Sequence, residues 1–184
     1  LVTVALDRTA EKSLFVRALD LCTGSGCVVV TLAKERPNSH FLGTDISEDA
    51  LTVARENAHR LGALPWLGFG RADLFDGLRR GPGFDLITAN PPYIPDGDLP
   101  GLSVSIRAFE PTIALIGGDD GLGFVRRIVE RAPDYLVPGG VLAMEIGAGQ
   151  SDDVKQTFAA RGFRDVQAEK DYGGIERVVS GVWP

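Results

Sequence analysis

The chain has 184 residues, a size usual for one domain, and its 44% hydrophobic and 24% charged content is an ordinary globular balance. Two cysteines build no disulfide framework or metal pattern, no apolar run nears the ~18 residues of a membrane span, and no basic-then-apolar leader follows Leu1, so a soluble cytoplasmic domain is expected. The net charge of −6, from 19 Lys and Arg against 25 Asp and Glu, supplies little of the phosphate electrostatics behind non-specific nucleic-acid affinity, and direct nucleic-acid binding is disfavoured.

The first residue is Leu1 and the single methionine is Met144, so a preceding segment is expected. Along the chain, short β-rich runs alternate with helical stretches, the pattern of a doubly wound α/β sheet. The first predicted strand is Arg17 to Leu21, followed by a glycine turn and a helix from Cys27 to Arg36 that Pro37-Asn38 breaks. A second strand runs from His40 to Gly43, with Asp45 at its carboxyl end. Ser47 is placed to N-cap the next helix, whose first turn carries Glu48 and Asp49 and which stops at Gly62. Strands three and four read as Trp66 to Ala72 and Phe84 to Ala89. A helix from Gly123 to Leu136 then leads through a Pro138-Gly139-Gly140 turn into a strand over Val141 to Ile146. Ser151 is expected to cap a last helix, and strands over Phe163 to Glu169 and Arg177 to Val182 close the chain. The stretch from Pro91 to Asp120 breaks this rhythm, holding five of the eleven prolines and no long period. It starts at the carboxyl end of strand four, where open α/β sheets place ligands.

Three signals carry chemistry. In Leu19-Asp20-Leu21-Cys22-Thr23-Gly24-Ser25-Gly26, a strand enters a Gly-x-Gly turn and then a helix, which leaves main-chain N–H groups free for a ligand. Val29 stands where the dinucleotide fingerprint has its third glycine, and such a turn can also be purely structural. Asp45, twenty-one residues after Gly24, can accept both hydroxyls of a ribose. Asp73 is placed either for an adenine amino group or as a plain loop acid. The third signal is Asn90-Pro91-Pro92-Tyr93 at the end of a buried strand. An amide or aromatic amine is a poor nucleophile because its lone pair is delocalised. An Asn oxygen and an adjacent main-chain carbonyl can accept its two N–H bonds and favour the geometry needed to attack a methyl group. The prolines stiffen that backbone, and the tyrosine offers a flat face.

Together these motifs resemble the class I S-adenosylmethionine-dependent methyltransferases that methylate amino groups. Phe109-Glu110-Pro111, Ala114-Leu115, Gly117-Gly118-Asp119-Asp120-Gly121-Leu122, Pro138-Gly139-Gly140, Glu145-Ile146-Gly147 and Asp171 to Val179 further resemble the PrmC/HemK family. That family methylates the glutamine amide in the Gly-Gly-Gln loop of peptide-chain release factors. The resemblance implies a seven-stranded Rossmann-like sheet, mostly parallel with its last strand antiparallel, and helices on both faces. It implies S-adenosyl-L-methionine as cofactor, held by Cys22, Thr23, Gly24, Ser25, Gly26, Asp45, Asp73 or its neighbour Leu74, and Asn90. Catalytic contacts fall on Asn90, Pro91, Pro92 and Tyr93, and a release factor is the implied protein partner.

Two departures stand out. Cys22 occupies a position where the family commonly has glycine, which is tolerable if its φ is negative. Residues 1–184 read as a single catalytic domain, without the family's N-terminal helical docking domain. Three other functions fit parts of the pattern: methylation of adenine in nucleic acid, methylation of a small molecule, and a non-enzymatic nucleoside- or NAD-binding module. His40, His59, Cys27, Trp66, Trp183 and the Asp119-Asp120 pair read as structural or solvated residues, and no metal is implied.

Overall fold

Side-chain alternation places each central strand between two apolar layers. The computed structural model describes residues 1–12, 15–101 and 111–184. In β1 (Arg17–Leu21), Leu19 and Leu21 enter one cluster and Ala18 enters the other. In β4 (Phe84–Ala89), Ile87 and Ala89 likewise oppose Leu86. Between them these two clusters form the core on either side of one sheet. Completing it are β2 (His40–Asp45), β3 (Leu67–Arg71), β5 (Leu136–Glu145), β6 (Arg164–Lys170) and β7 (Glu176–Val182), in the order β3-β2-β1-β4-β5-β7-β6. β7 alone runs opposite to the other six strands of this sheet. The expected seven-stranded Rossmann-like architecture is the observed one.

Helices α1 (Val2–Arg8), α2 (Cys27–Glu35) and α3 (Glu48–Arg60) contribute Ala5, Val29, Leu32 and Ala58 to one cluster. Helices α4 (Gly123–Arg131) and α5 (Ser151–Arg161) contribute Val125, Ile128, Val154 and Phe158 to the other. The Ser47 cap is in place, its hydroxyl accepting from the Ala50 N–H at 3.2 Å. No helix among the described residues is long and apolar enough to cross a membrane.

Four local features differ from the predicted elements. The helix from Gly123 ends at Arg131 rather than Leu136, and a 3-10 turn over Ala132–Asp134 follows. Pro133 has no N–H to continue the ladder. Pro138-Gly139-Gly140 lies inside β5 as a bulge, because Phe84 pairs with Leu136 while Leu86 pairs with Val141. There Gly139 donates to the Trp183 carbonyl at 2.7 Å. The last helix has Gln150 at its N-cap position, with no side-chain capping bond, and Ser151 is its first residue with a buried hydroxyl lacking a partner among the described residues. Helix α1, not foreseen in the sequence, is held by Arg36, which donates to the Leu6 and Thr9 carbonyls, and by the Arg8–Asp165 ion pair.

The stretch after β4 is tied at its base. Ile94 N–H donates to the Leu115 carbonyl at 2.9 Å, Gly117 N–H to Ile94 at 2.8 Å, and Asp96 N–H to Gly118 at 3.1 Å. Short 3-10 turns occupy Asp96–Gly101 and Thr112–Ala114.

Candidate functional site

Strand register builds the site. Leu21 pairs with Thr44 on one side and Ala89 on the other, so β1, β2 and β4 run out at one level. The glycine turn, Asp45 and Asn90 therefore emerge together around a cavity of about 690 Å³. Crossovers diverge here, from β1 toward β2 and from β4 toward β5, which makes this the topological switch point.

In the turn, Thr23 N–H donates to the Thr44 carbonyl at 2.9 Å and Gly24 N–H to Asp45 Oδ2 at 2.9 Å. Gly26, at φ +83°, starts α2, and a Cβ there would stand 3.2 Å from the Ala54 methyl, so it also sets how closely α2 approaches α3. A Cβ on Gly24 would meet nothing within 4 Å. Cys22, Thr23, Gly24 and Ser25 line the cavity, whereas Gly26 lies behind it.

Cys22 corrects one expectation. Its φ is +54°, in the left-handed region, not negative. An L-residue there costs roughly 1–2 kcal/mol, a strain that glycine would not carry. Burial, then the carboxylates of Asp45, Asp20 and Asp73, push the Cys22 thiol up to about 12, so it stays neutral.

Asp45 accepts two main-chain hydrogen bonds, from Gly24 at Oδ2 and from Ser47 at Oδ1, each 2.9 Å. One lone pair on each oxygen remains, a fixed pair of acceptors suited to a vicinal diol. Asp73 also reaches the cavity, but both its oxygens accept from Arg127 Nη2 at 3.0 Å. The neighbouring Leu74 is buried at φ +53° and lines the same wall. Neither Arg127 nor Phe124, whose ring the guanidinium overlies at 5.6 Å, was foreseen in the sequence.

Asp20 is the other residue missed. It is 2% exposed, accepts from Thr23 and Thr88 hydroxyls at 2.6 Å each, and lines the cavity floor. Burial pushes its carboxyl up to about 6, against the pull of those two hydroxyls. A lone acid inside the apolar strand Leu19-Asp20-Leu21 was the available signal.

The Asn90-Pro91-Pro92-Tyr93 segment divides. Asn90 and Pro92 line the cavity, while Pro91 and Tyr93 do not. Pro91 is buried, and Tyr93 is half-buried, with its hydroxyl raised by burial and by Glu145. The cavity is closed from the far side by Pro111, Ile113 and Ala114. Phe109 and Glu110 lie outside the described residues.

Several of the remaining conspicuous groups have structural partners. His40 meets the rings of Phe15 and Trp66, and Trp183 meets Phe163. Cys27 Sγ lies 3.3 Å from Ser25 Oγ. Asp120 pairs with Arg126 and accepts from Leu122 N–H, and the Arg126 hydrogen bond is the main reason its carboxyl falls to about 2.

Residues 15–172 match the family described as Methyltransferase domain. The chain is 46% identical over 167 residues to a release factor glutamine methyltransferase of Geobacter sulfurreducens, covering 89% of this chain and 56% of that protein. It is 41% identical over 182 residues to one of Cereibacter sphaeroides, covering 99% and 65%. The chain thus spans less than two thirds of the length of these relatives. A methyltransferase structure from Pyrococcus furiosus superposes with a TM-score of 0.67 at 20% identity, over 99% of this chain and 84% of that one.

Two outcomes test this geometry. Cys22→Gly relieves the left-handed strain that Cys22→Ala keeps, so of these two variants, both without the thiol that packs against the core, glycine is the more stable by about 0.5–1 kcal/mol, and Cys22→Val destabilises. Urea unfolding in which Cys22→Gly is the less stable would contradict the assigned conformation. Asp20 has a folded value near 6, above its ordinary 3.8, so the folded chain holds a proton that the unfolded chain releases. Its contribution is largest below pH ~4 and is lost as pH rises through ~6, by a few kcal/mol. Asp20→Asn should therefore gain stability relative to the parent as pH goes from 5 to 8. A difference that stays flat over this range would refute it.

Proposed function

Because the chain belongs to the methyltransferase-domain family, we propose that it moves a methyl group from S-adenosyl-L-methionine to a glutamine side-chain nitrogen. The glutamine is that of the Gly-Gly-Gln loop in a peptide-chain release factor. The observation that carries this reading is the convergence of Asn90, the glycine turn and Asp45 on one cavity. The names of the relatives at 41–46% identity support the substrate.

The residues present fit the cofactor. Gly24 opens directly onto the cavity, and Asp45 presents two anchored acceptors for ribose hydroxyls. Asp73 and Leu74 form the wall for an adenine ring. Three carboxylates, Asp20, Asp45 and Asp73, face one guanidinium, Arg127, a balance better suited to a sulfonium with an amino group than to the pyrophosphate of NAD. When bound, S-adenosyl-L-methionine supplies an electrophilic methyl carbon on a positively charged sulfur.

The chain's part is then positioning. Asn90 Oδ1 and the neighbouring main-chain carbonyl accept the two N–H bonds of the glutamine amide and aim its nitrogen in line with the methyl group. Pro91 and Pro92 hold that backbone stiff, and Tyr93 packs beside the substrate from outside the cofactor cavity. No strong base is needed, since the nitrogen sheds its surplus proton once it carries the positive charge. A cytoplasmic protein substrate, with neither membrane nor nucleic-acid contact, fits the net charge of −6 and the absence of a membrane-spanning helix among the described residues.

Asp45→Ala should weaken cofactor binding by at least ~1.5 kcal/mol, read by calorimetry, as two charge-assisted hydrogen bonds go. Tight binding of NAD with none of the sulfonium compound would defeat the cofactor assignment. Asn90→Ala should keep cofactor affinity within a few fold and cut transfer roughly a hundredfold. The substrate is tested by offering radiolabelled cofactor with release factor, its Gln→Ala variant and adenine-containing DNA. Label on release factor alone is expected. Label on DNA, or equal label on the Gln→Ala variant, would overturn the glutamine assignment.

A further inference from the structure

Two motifs that carry the family resemblance are not among the residues lining the cavity, yet both lead to one atom. That atom is the main-chain carbonyl oxygen of Tyr93. Gln150, at the N-cap position of α5, donates to it from Nε2 at 2.9 Å. The other end of the same side chain, Oε1, accepts from Gly147 N–H at 2.8 Å, so both ends of the amide are used. From the opposite side comes the Gly117–Leu122 stretch. A Cβ on Gly121 would land on the Tyr93 carbonyl oxygen and stand 2.8 Å from Gln150 Nε2. A Cβ on Gly117 would stand 2.8 Å from the Pro92 carbonyl oxygen. A Cβ on Gly147 would stand 2.8 Å from Gln150 Oε1 and 3.2 Å from Tyr93 Cδ2. Bare backbone on both sides is what lets the amide reach the carbonyl.

The chemistry of the segment explains the need. Two successive prolines have no N–H to donate, so Pro91 and Pro92 cannot be tied down by donating hydrogen bonds of their own. Restraint must enter through carbonyl oxygens or through the residue that follows. Stiff proline φ angles then transmit a fixed Tyr93 carbonyl back toward Asn90 over a short, nearly rigid lever. A displacement of ~1 Å at a reacting group can cost a hundredfold in rate.

We propose that Gln150 is a positioning residue for methyl transfer: by clamping the Tyr93 carbonyl to Gly147, it holds Asn90 and its neighbouring carbonyl where they receive the acceptor nitrogen. This rests on the role given to Asn90 above, but not on which acceptor the chain takes. Gly117, Gly121 and Gly147 serve the clamp by leaving it space, so these motifs shape the catalytic backbone without touching substrate.

Gln150→Glu is the discriminating variant. It keeps the length of the side chain and an acceptor for Gly147 N–H, but faces the Tyr93 carbonyl with a second acceptor. Gln150→Met removes both bonds without adding charge. Each is compared with the parent chain on whichever acceptor the parent labels, release factor or adenine DNA, so a wrong substrate fails only the earlier reading. The expected result is a 10- to 100-fold fall in kcat, with the KM and Kd of S-adenosylmethionine unchanged within threefold. A merely structural role would move kcat, Kd and Tm together, and that pattern overturns the proposal. So does a kcat within twofold of the parent in both variants. Should the parent label neither acceptor, amide exchange by NMR decides. Gln150→Glu should accelerate exchange at Ile94 at least tenfold and leave Gly24 and Ser47 unchanged, and an unaltered rate at Ile94 overturns it.

Discussion

Everything at the site depends on the register of three parallel strands. Leu21 lies opposite both Thr44 and Ala89, so the glycine turn, Asp45 and Asn90 leave the sheet at the same height. A slip of two residues in β4 would carry Asn90 about 7 Å along the sheet, and a slip of one would turn its apolar side chains to the wrong layer. What prevents either is burial: Leu19, Leu21, Ile87 and Ala89 fill one core cluster while Ala18 and Leu86 fill the other. The geometry of the candidate site is thus specified by side chains that do not line the cavity. Asp45 then stitches the strand ends together by accepting from Gly24 and Ser47.

Much of this was legible beforehand. The bounds of β1 and β4 follow from apolar runs closed by glycine and proline, and Ser47 caps as its side chain suggests. What escaped has a common cause: it depends on partners distant in sequence. Arg127 meets Asp73 across 54 positions, and Gln150 meets Tyr93 across 57. Helix α1 is too short to reveal itself by periodicity and is held by Arg36 and Asp165. The Pro138-Gly139-Gly140 bulge looks like a turn because nothing local shows that Trp183 pairs with it. Cys22 is instructive in another way: a residue type gives no φ, and the positive angle comes from the path the turn must take.

Three unfavourable features lie around the cavity. Cys22 and Leu74 hold left-handed backbone, and Asp20 is a buried carboxyl whose charge is opposed by its surroundings. Strain of this kind persists only where surrounding structure over-determines it. Here the surroundings include Leu19, Leu21 and Ile87, all fully buried. The sheet therefore works as a stiff frame around a local arrangement that would not hold its shape alone.

The tied base of the stretch after β4 bears on how such a chain diversifies. Ile94 is joined to Leu115 and Gly117, and Asp96 to Gly118, so both ends of the excursion are fixed before its interior matters. Lengthening a loop closed in this way is cheap, about 0.6 kcal/mol for each doubling. These ties lie between Asn90 and the 3-10 turn that starts at Asp96, so a change beyond them reaches the strand ends only through this base. A sequence change past this base and one at the ends of β1, β2 and β4 are thereby mechanically separate events, and each can be tolerated without the other.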